Sequence, residues 1–530
     1  MNVQNWEKKR QYSPEQIILA RHVLAEIKKG MGVKEAVRKN PLPKGGYISK
    51  HLLVSVYRDL VKKGEQPVDG ELLARIRLKP VRTLSGVTTV TVLTKPYPCP
   101  GECIFCPTDV RMPKSYLPDE PGAMRALQHN FEPYSQVSAR IAALEAVGHP
   151  TDKIELLILG GTWSAYRRDY QEWFVKRCLD ALNQCDSPDL EGAQSHNETA
   201  KHRNVGLVIE TRPDQVDKRE LVWMRKLGVT KVQMGVQSLD DRILDINHRG
   251  HTGNQTQGTV NLLRAAGFKI VLHWMPNLLG ASLESDREDF TRLWQGVCPD
   301  EIKIYPTQLL KNADLYTYWE RGEFTPYSTE ELIELIADIK ATIPRYCRVN
   351  RIVRDIPSTN VVEGNKRTSL RQDIKLEMEK RGTSCNCVRC REVRGVNVDF
   401  SDLKLDDLTY LSNISEEHFL SYKTVNDKLA GFLRLTLPGK DAPNTGMVDL
   451  ENAAIIREVH VYGQSLPVGV EANGAAQHIG MGTELLKIAE RIARENDFKQ
   501  LAVISAIGTR RYYEKRGFTR GELYLWKTLN

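Results

Sequence analysis

The spacing of apolar residues changes character three times along the chain. Residues 13–29 carry Ile17, Ile18, Leu24 and Ile27 as an apolar stripe, opened by Ser13, Pro14 and Gln16 in a capping-box arrangement and closed by Gly30. A second helix is predicted over 49–63, so residues 1–80 read as a small helical domain. From 87 to 357, short β-branched runs (87–95, 155–161, 206–213, 231–238, 269–276, 301–308 and 348–357) alternate with amphipathic stretches near 135–147, 169–183, 217–227, 254–266, 284–294 and 328–343. Repeated strand–helix units predict an α/β domain over 81–379, a parallel sheet forming a partial TIM barrel, with chemistry on the loops after the strands. Residues 184–204 are polar and weakly patterned and read as a surface insertion. A Cys/Arg-rich link, 380–395, leads to a small α+β domain over 396–530. Its expected elements are a hairpin turning at Asn426–Asp427, a strand at 455–462, a helix at 483–495, a strand at 501–507, a short helix near 509–516 and a last strand at 522–527.

Composition narrows this picture only slightly. The 530 residues are 41% hydrophobic and 27% charged, as in ordinary globular proteins. No apolar run reaches membrane-spanning length, and the polar start MNVQNWEKKRQY lacks a signal core, so a cytoplasmic protein without a membrane segment is expected. Charge is more telling. The chain carries a net +8, yet residues 1–98 alone hold 12 Lys and 7 Arg against 8 acidic residues. A basic surface so localised reads either as a solvated helical face or as a site for a polyanion, nucleic acid being the commonest.

Six of the ten cysteines fall into two groups. Cys99, Cys103 and Cys106 have C-x3-C-x2-C spacing directly after the first barrel strand. Three thiolates on one loop can hold three irons of a 4Fe-4S cluster and leave the fourth open, whereas structural zinc usually takes four protein ligands. This is the radical-SAM signature. Gly160 and Gly161 end the second strand in LGGT; they form either a tight turn or a close approach to S-adenosylmethionine (SAM), whose amino group meets a similar glycine motif in that superfamily. Glu210 and Gln237 end the third and fourth strands, where active-site groups belong. Lys303 and Tyr305 share one face of the sixth strand, and a lysine inside a barrel is expected to have an anionic partner. His248-Arg249-Gly250-His251 either binds phosphate or caps a helix.

In the last domain, Gln477-His478-Ile479-Gly480-Met481-Gly482-Thr483 matches Q/R-x-x-G-x-G/A before a helix. Such a turn can cradle the pyrophosphate of acetyl-CoA on backbone amides at the helix start. The preceding strand, Glu458-Val459-His460-Val461, and the order strand–loop–helix–strand resemble the GNAT acetyltransferase fold, in which this strand lines the thioester. Tyr512 and Tyr513 stand where GNAT enzymes keep a tyrosine that protonates the leaving thiolate; the other reading makes them core aromatics.

Taken together, CPGECIFC, LGGTW, IETRPD, GVQS, HRGHT, KIYPT, VRDIP, REVHVYG, QHIGMG and AVISAIGTRRYYEKRGF resemble, in this order, the family of the Elongator catalytic subunit over almost the whole chain. The resemblance implies carboxymethylation of C5 of the wobble uridine in the tRNA anticodon stem-loop, with acetyl-CoA as carbon source. Reduced cluster would cleave SAM to a 5′-deoxyadenosyl radical, which would activate the acetyl methyl group for addition to the base. It also implies that Lys153 contacts acetyl-CoA, that Lys303 and the two tyrosines serve catalysis, and that the basic N-terminal residues hold tRNA. Cys385, Cys387 and Cys390 are expected to bind zinc between the domains, with Cys347 a fourth ligand on chemical grounds only. The loop at 463–476 is expected to cover the acetyl-CoA site until tRNA arrives. A homodimer or a larger modification complex is left open. The rival readings are a protein-lysine acetyltransferase with a structural iron–sulfur cluster, and a non-catalytic tRNA-binding scaffold.

Overall fold

The computed structural model describes residues 12–43, 45–394, 398–462 and 480–529; Gln477 and the loop at 463–476 lie outside them. Among the described residues four helices come first, Pro14–Lys28, Val33–Lys39, Lys50–Lys62 and Gly70–Ile76, two more than the apolar pattern predicts. The Ser13/Gln16 capping box forms as expected. Val23, Leu24, Ile27, Leu52, Leu53 and Tyr57 give this bundle its own core. Arg77 ties it to the next domain by donating from Nε to the Gly148 carbonyl at 2.7 Å.

Seven parallel strands follow: β1 (Thr88–Leu93), β2 (Lys153–Leu159), β3 (Arg203–Thr211), β4 (Lys231–Gln237), β5 (Lys269–Trp274), β6 (Glu301–Ile304) and β7 (Arg348–Ile352). They pair in sequence order, and β1 and β7 remain the two edges, so the barrel is open along one side. Apolar residues of the outward face, such as Val90, Ile154 and Leu156, pack under the helices. The inward face is polar.

The last domain is a second seven-stranded sheet, of β8 (Lys404–Leu411), β9 (Ser415–Lys423), β10 (Leu429–Pro438), β11 (Ala453–Val461), β12 (Gln500–Val503), β13 (Thr519–Arg520) and β14 (Leu525–Thr528). Its order is β13-β14-β12-β11-β10-β9-β8. β8 to β11 are antiparallel, while β11 and β12 are parallel only from Ala453 to Ile456. Beyond Ile456 these two strands part, beside the helix Met481–Glu495. Against β10, Arg434 faces Glu458 but Leu435 faces Ile456, so Arg457 is an extra residue, a β-bulge that re-aims its side chain.

That bulge locks the two sheets together. Arg457 grips Asp300 through two bonds of 2.6 and 2.9 Å and reaches Glu417 at 2.6 Å, all three fully buried. Arg434 donates to the Tyr346 carbonyl at 2.8 Å, and Tyr346 stacks on Tyr410 at 3.8 Å. Residues 184–204, expected as a surface insertion, are instead part of this joint. They include the helix Leu190–Asn197, and the nearly buried Glu198 ion-pairs with Arg510, Arg511 and Arg520. Among the described residues no helix is long and apolar enough to cross a membrane.

Candidate active site

The C-terminal sheet sits at the start of the barrel strands, and the cysteine loop at their end. One cavity of about 1650 Å³ runs between them, lined by Cys106, Glu210, Gln237 and Lys303 at one end and by Glu458, His460, Gly482, Tyr512 and Tyr513 at the other.

At the cysteine end, Arg212 and Arg249 converge on one thiol. Arg249 donates to Cys103 Sγ at 3.1 Å and Arg212 at 3.6 Å, passing so close to Gly101 that a Cβ there would lie 1.9 Å from its guanidinium. A hydrogen bond from Cys106, then the two guanidiniums, bring Cys103 down to about 4, against the opposing effect of burial, while Cys106 is pushed up. The HRGH segment therefore aims Arg249 at a cysteine, a use the sequence reading did not foresee. His251 beside it is buried with neither ring nitrogen hydrogen-bonded, and burial followed by Arg249 and Arg212 lowers it to about 3. Cys99 Sγ lies 3.5 Å from Thr162 Oγ1, just after the two glycines. Gly160 is required by contact: at φ +137°, an added Cβ would meet Thr94 Oγ1 at 1.8 Å. Gln237 holds φ +75° with its buried Oε1 unbonded, a strained acceptor turned to the cavity.

Deeper in, Tyr116, Glu210, His273, Gln233 and Lys303 form one connected line. The Tyr116 hydroxyl donates to Glu210 Oε2 at 2.7 Å, and His273 Nδ1 faces Glu210 Oε1 at 3.4 Å. His273 Nε2 meets Gln233 Oε1 at 3.1 Å, and Lys303 Nζ donates to that same oxygen. Lys303 thus has a neutral amide oxygen as its partner, where an anion was expected.

The opposite end begins with a belt of charges at the strand starts. Lys231 bonds Glu155 at 2.5 Å and lies 3.5 Å from Glu301; Lys269 bonds Glu301 at 3.1 Å and also Glu458 on β11. Burial would raise Glu458, but Lys269 and Arg434 outweigh it and hold it down to about 2. His460 donates from Nε2 to the Ser85 carbonyl at 3.2 Å and, through burial, is lowered to about 4. Val459 and Val461 line the cavity, as does Lys153, the first residue of β2. Gly480 precedes the helix Met481–Glu495. Gly482 leaves room for Tyr512, whose hydroxyl would lie 2.7 Å from an added Cβ. The Met481 side chain is fully buried, its sulfur beside Gly431, which leaves only its backbone for a ligand. Arg516 covers the Tyr512 ring at 3.6 Å and donates to Thr483 Oγ1 at 3.1 Å. Tyr513 is more deeply buried, edge-on to Tyr512 and Phe518.

The second cysteine group lies at the joint. The sulfurs of Cys385, Cys387 and Cys390 all lie within 4.8 Å of one another, the spacing of ligands around a single ion. Cys347 is not in that group; its thiol is fully buried, and its carbonyl accepts from Val388 N at 2.9 Å.

Three arginines missed in the sequence line the cavity from separate elements: Arg82, Arg125 and Arg140. Among the described residues none has a carboxylate within ion-pairing distance. Burial, then Arg125 and Arg82, lower Arg140 to about 10.

A cysteine loop at the end of an open parallel barrel, with two guanidiniums on one thiol, defines a radical-SAM protein, here closed by a second sheet. Residues 97–293 match the Radical SAM superfamily and 299–380 the Radical_SAM C-terminal domain. The chain is 45% identical to the tRNA uridine(34) acetyltransferase of Methanocaldococcus jannaschii, across 86% of this chain and 87% of that one. It is 35% identical to Elongator complex protein 3 of Drosophila melanogaster, across 97% and 96%. The solved archaeal Methanocaldococcus infernus Elp3 with an N-terminal deletion superposes with a TM-score of 0.72 at 40% identity, covering 84% of this chain and 99% of that one. The chain belongs to the Elongator complex protein 3 family.

Proposed function

We propose that the chain joins a carboxymethyl group, drawn from acetyl-CoA, to C5 of the wobble uridine of tRNA. The observation that carries this reading is the single cavity shared by the cysteine end of the barrel and the Glu458–Tyr513 end of the C-terminal domain. Two separate activities would need no common chamber. The names of the relatives, tRNA uridine(34) acetyltransferase and Elongator complex protein 3, support the substrate.

Cys99, Cys103 and Cys106 fit a 4Fe-4S cluster: they share a strand-end loop, one thiol is held by two guanidiniums, and the three sulfurs are not gathered as tightly as those of the second group. With SAM, that cluster supplies the one-electron chemistry that activates a C–H bond. The chain's own residues bind and orient. Gln237 Oε1, buried and unbonded, together with Gly160, Gly161 and Glu210, frames the SAM side. Lys153, Glu458 to Val461 and the backbone of Gly480 to Thr483 frame acetyl-CoA, with the helix start at Met481 facing the pyrophosphate. Burial pushes both Tyr512 and Tyr513 up, so each keeps a proton to give to the departing thiolate. Arg82, Arg125 and Arg140 would exchange mutual repulsion for tRNA phosphates. Cys385, Cys387 and Cys390 would hold zinc at the joint.

The test is acetyl-CoA hydrolysis with and without tRNA. Stimulation by tRNA and not by a lysine peptide, with no modified uridine from a Cys103→Ser variant, is the expected result. Acetyl transfer to the peptide without any effect of tRNA would favour a protein acetyltransferase instead.

A further inference from the structure

A buried charge without a partner is costly, so a protein that keeps one holds the opposite charge nearby. Lys340 is such a charge. It lies in the last turn of the helix Thr329–Ala341 and is only 3% exposed. Among the described residues no carboxylate lies within ion-pairing distance of it, and its one hydrogen-bond contact is from Nζ to the Met378 sulfur at 3.7 Å. Met378 belongs to the helix Leu370–Lys380 packed alongside. The neighbouring acidic residues on the two helices are engaged elsewhere: Asp338 with Arg287 and Arg381, Glu377 with Lys380 and Arg381, and Glu379 with Lys375. The helix dipole favours a cation in its last turn, but this offsets only a small part of the cost of burial.

The charge within reach of this ammonium belongs to the second cysteine group. Lys340 acts electrostatically on Cys390, and all three thiols act on Arg371. Arg371 likewise has no carboxylate within ion-pairing distance among the described residues; it donates to the Val349 carbonyl at 3.0 Å. Two cations from two helices thus converge on three sulfurs held within 4.8 Å of one another. Three neutral thiols would leave both cations without an anion. Three thiolates around one divalent ion carry one net negative charge, whatever neutral molecule completes the coordination. We propose that Lys340, seconded by the half-exposed Arg371, is the counter-cation of the metal–thiolate centre at the joint; the proposal rests on the zinc reading above. On binding, each thiol gives its proton to solvent and a sulfur lone pair to the metal, so the centre becomes the anion that the buried ammonium lacks. Lys340 is therefore a positioning residue: it is no ligand itself and acts through Cys390. Cys387 is fully buried as well, so solvent screens the attraction little.

The test compares the full chain as wild type and as Lys340→Met, which keeps most of the side chain's length and removes its charge. Zinc affinity is measured by competition with a chromophoric chelator, and melting temperature is measured both zinc-loaded and after the chelator has removed the metal. Losing an outer partner of a metal ligand typically weakens metal affinity by about 10–100-fold, and a loss of that size is expected of Lys340→Met. The metal-free variant should melt above metal-free wild type, because an unpaired buried charge is gone. Its rise in melting temperature on adding zinc should nevertheless be the smaller of the two. A side chain that merely packs would not give this opposition of signs. Arg371→Gln carries the test if Lys340→Met does not fold, with a smaller loss of zinc affinity because solvent screens its charge. An affinity within about twofold of wild type overturns the proposal. A metal-free Lys340→Met that melts below wild type also overturns it, since Lys340 would then stabilise the fold without any metal. Wild type that binds no zinc removes the zinc reading itself, and the counter-cation with it; that outcome is read on the wild type alone.

Discussion

The two cysteine groups hold three thiols each within a few residues, yet their surroundings differ. Cys99, Cys103 and Cys106 follow β1 at the chamber, with Arg212 and Arg249 on Cys103 and a strained Gln237 nearby. Cys385, Cys387 and Cys390 draw their sulfurs to within 4.8 Å of one another on the link between the domains, where Arg391 bonds Asp427 and Val393 N bonds the Leu429 carbonyl. The first surrounds thiols with charge and ligand-facing groups; the second gathers them around one point. Spacing along the chain gives the number of ligands, and the packing around them decides whether the site serves chemistry or cohesion.

The largest expected effect contrasts the two groups directly. Cys103→Ser should abolish iron-dependent absorbance and SAM cleavage with little change in melting temperature. Cys387→Ser should lower the melting temperature and release zinc while iron is retained. Metal analysis beside thermal melts checks both, and iron lost from the second variant would break the contrast. Next comes the joint itself. Arg457→Met takes from buried Asp300 and Glu417 their shortest charged bonds, leaving only Arg434 3.4 Å from Asp300 and Arg264 3.5 Å from Glu417, and should cost about 3–5 kcal/mol in denaturant unfolding. A loss below about 1 kcal/mol would mean that the joint does not depend on this network.

Acid sharpens the picture at the first group. His251 is lowered to about 3, from an ordinary value near 6.5 in the unfolded chain. Its neutral form therefore contributes stability above about pH 6.5, lost as the pH falls towards 3 at roughly 1.4 kcal/mol per unit from this residue. Unfolding of wild type and His251→Gln at pH 7 and 5 should show a smaller acid loss in the variant. The smallest effect is on metal content: Cys347→Ala should leave the zinc content unchanged, since Cys347 is outside the thiol group. Zinc lost from that variant would restore it as a ligand.

Much of this molecule is legible in its sequence because its elements are strongly patterned. The seven barrel strands fall within or close to the β-branched runs, and the capping box at Ser13 forms as read. What the pattern hides has physical causes. The helix Leu190–Asn197 buries Ala193, Gln194 and Asn197, small or polar residues that leave no apolar stripe. β8 is an edge strand whose positions alternate only between exposed and half-buried, with Leu405 and Leu411 on the exposed face and Asp406 on the other, so its periodicity is weak. Tyr116, Gln233 and His273 are single residues on separate elements, and only folding joins them; likewise, nothing in HRGH says that its arginine turns to a cysteine more than a hundred residues earlier. Motifs that must recur locally to bind a ligand are readable, whereas partners assembled across strands are not.

The most direct test of the central claim follows carbon from one end of the cavity to the other. Wild-type protein with reconstituted cluster, SAM, a reductant and acetyl-CoA labelled with ¹³C in both acetyl carbons is incubated with tRNA, and the tRNA nucleosides are analysed by mass spectrometry. A single chamber for both ends predicts two labelled carbons on C5 of the wobble uridine. Label found only in acetate or on protein lysines, with the uridine unmodified while SAM is cleaved, would contradict it.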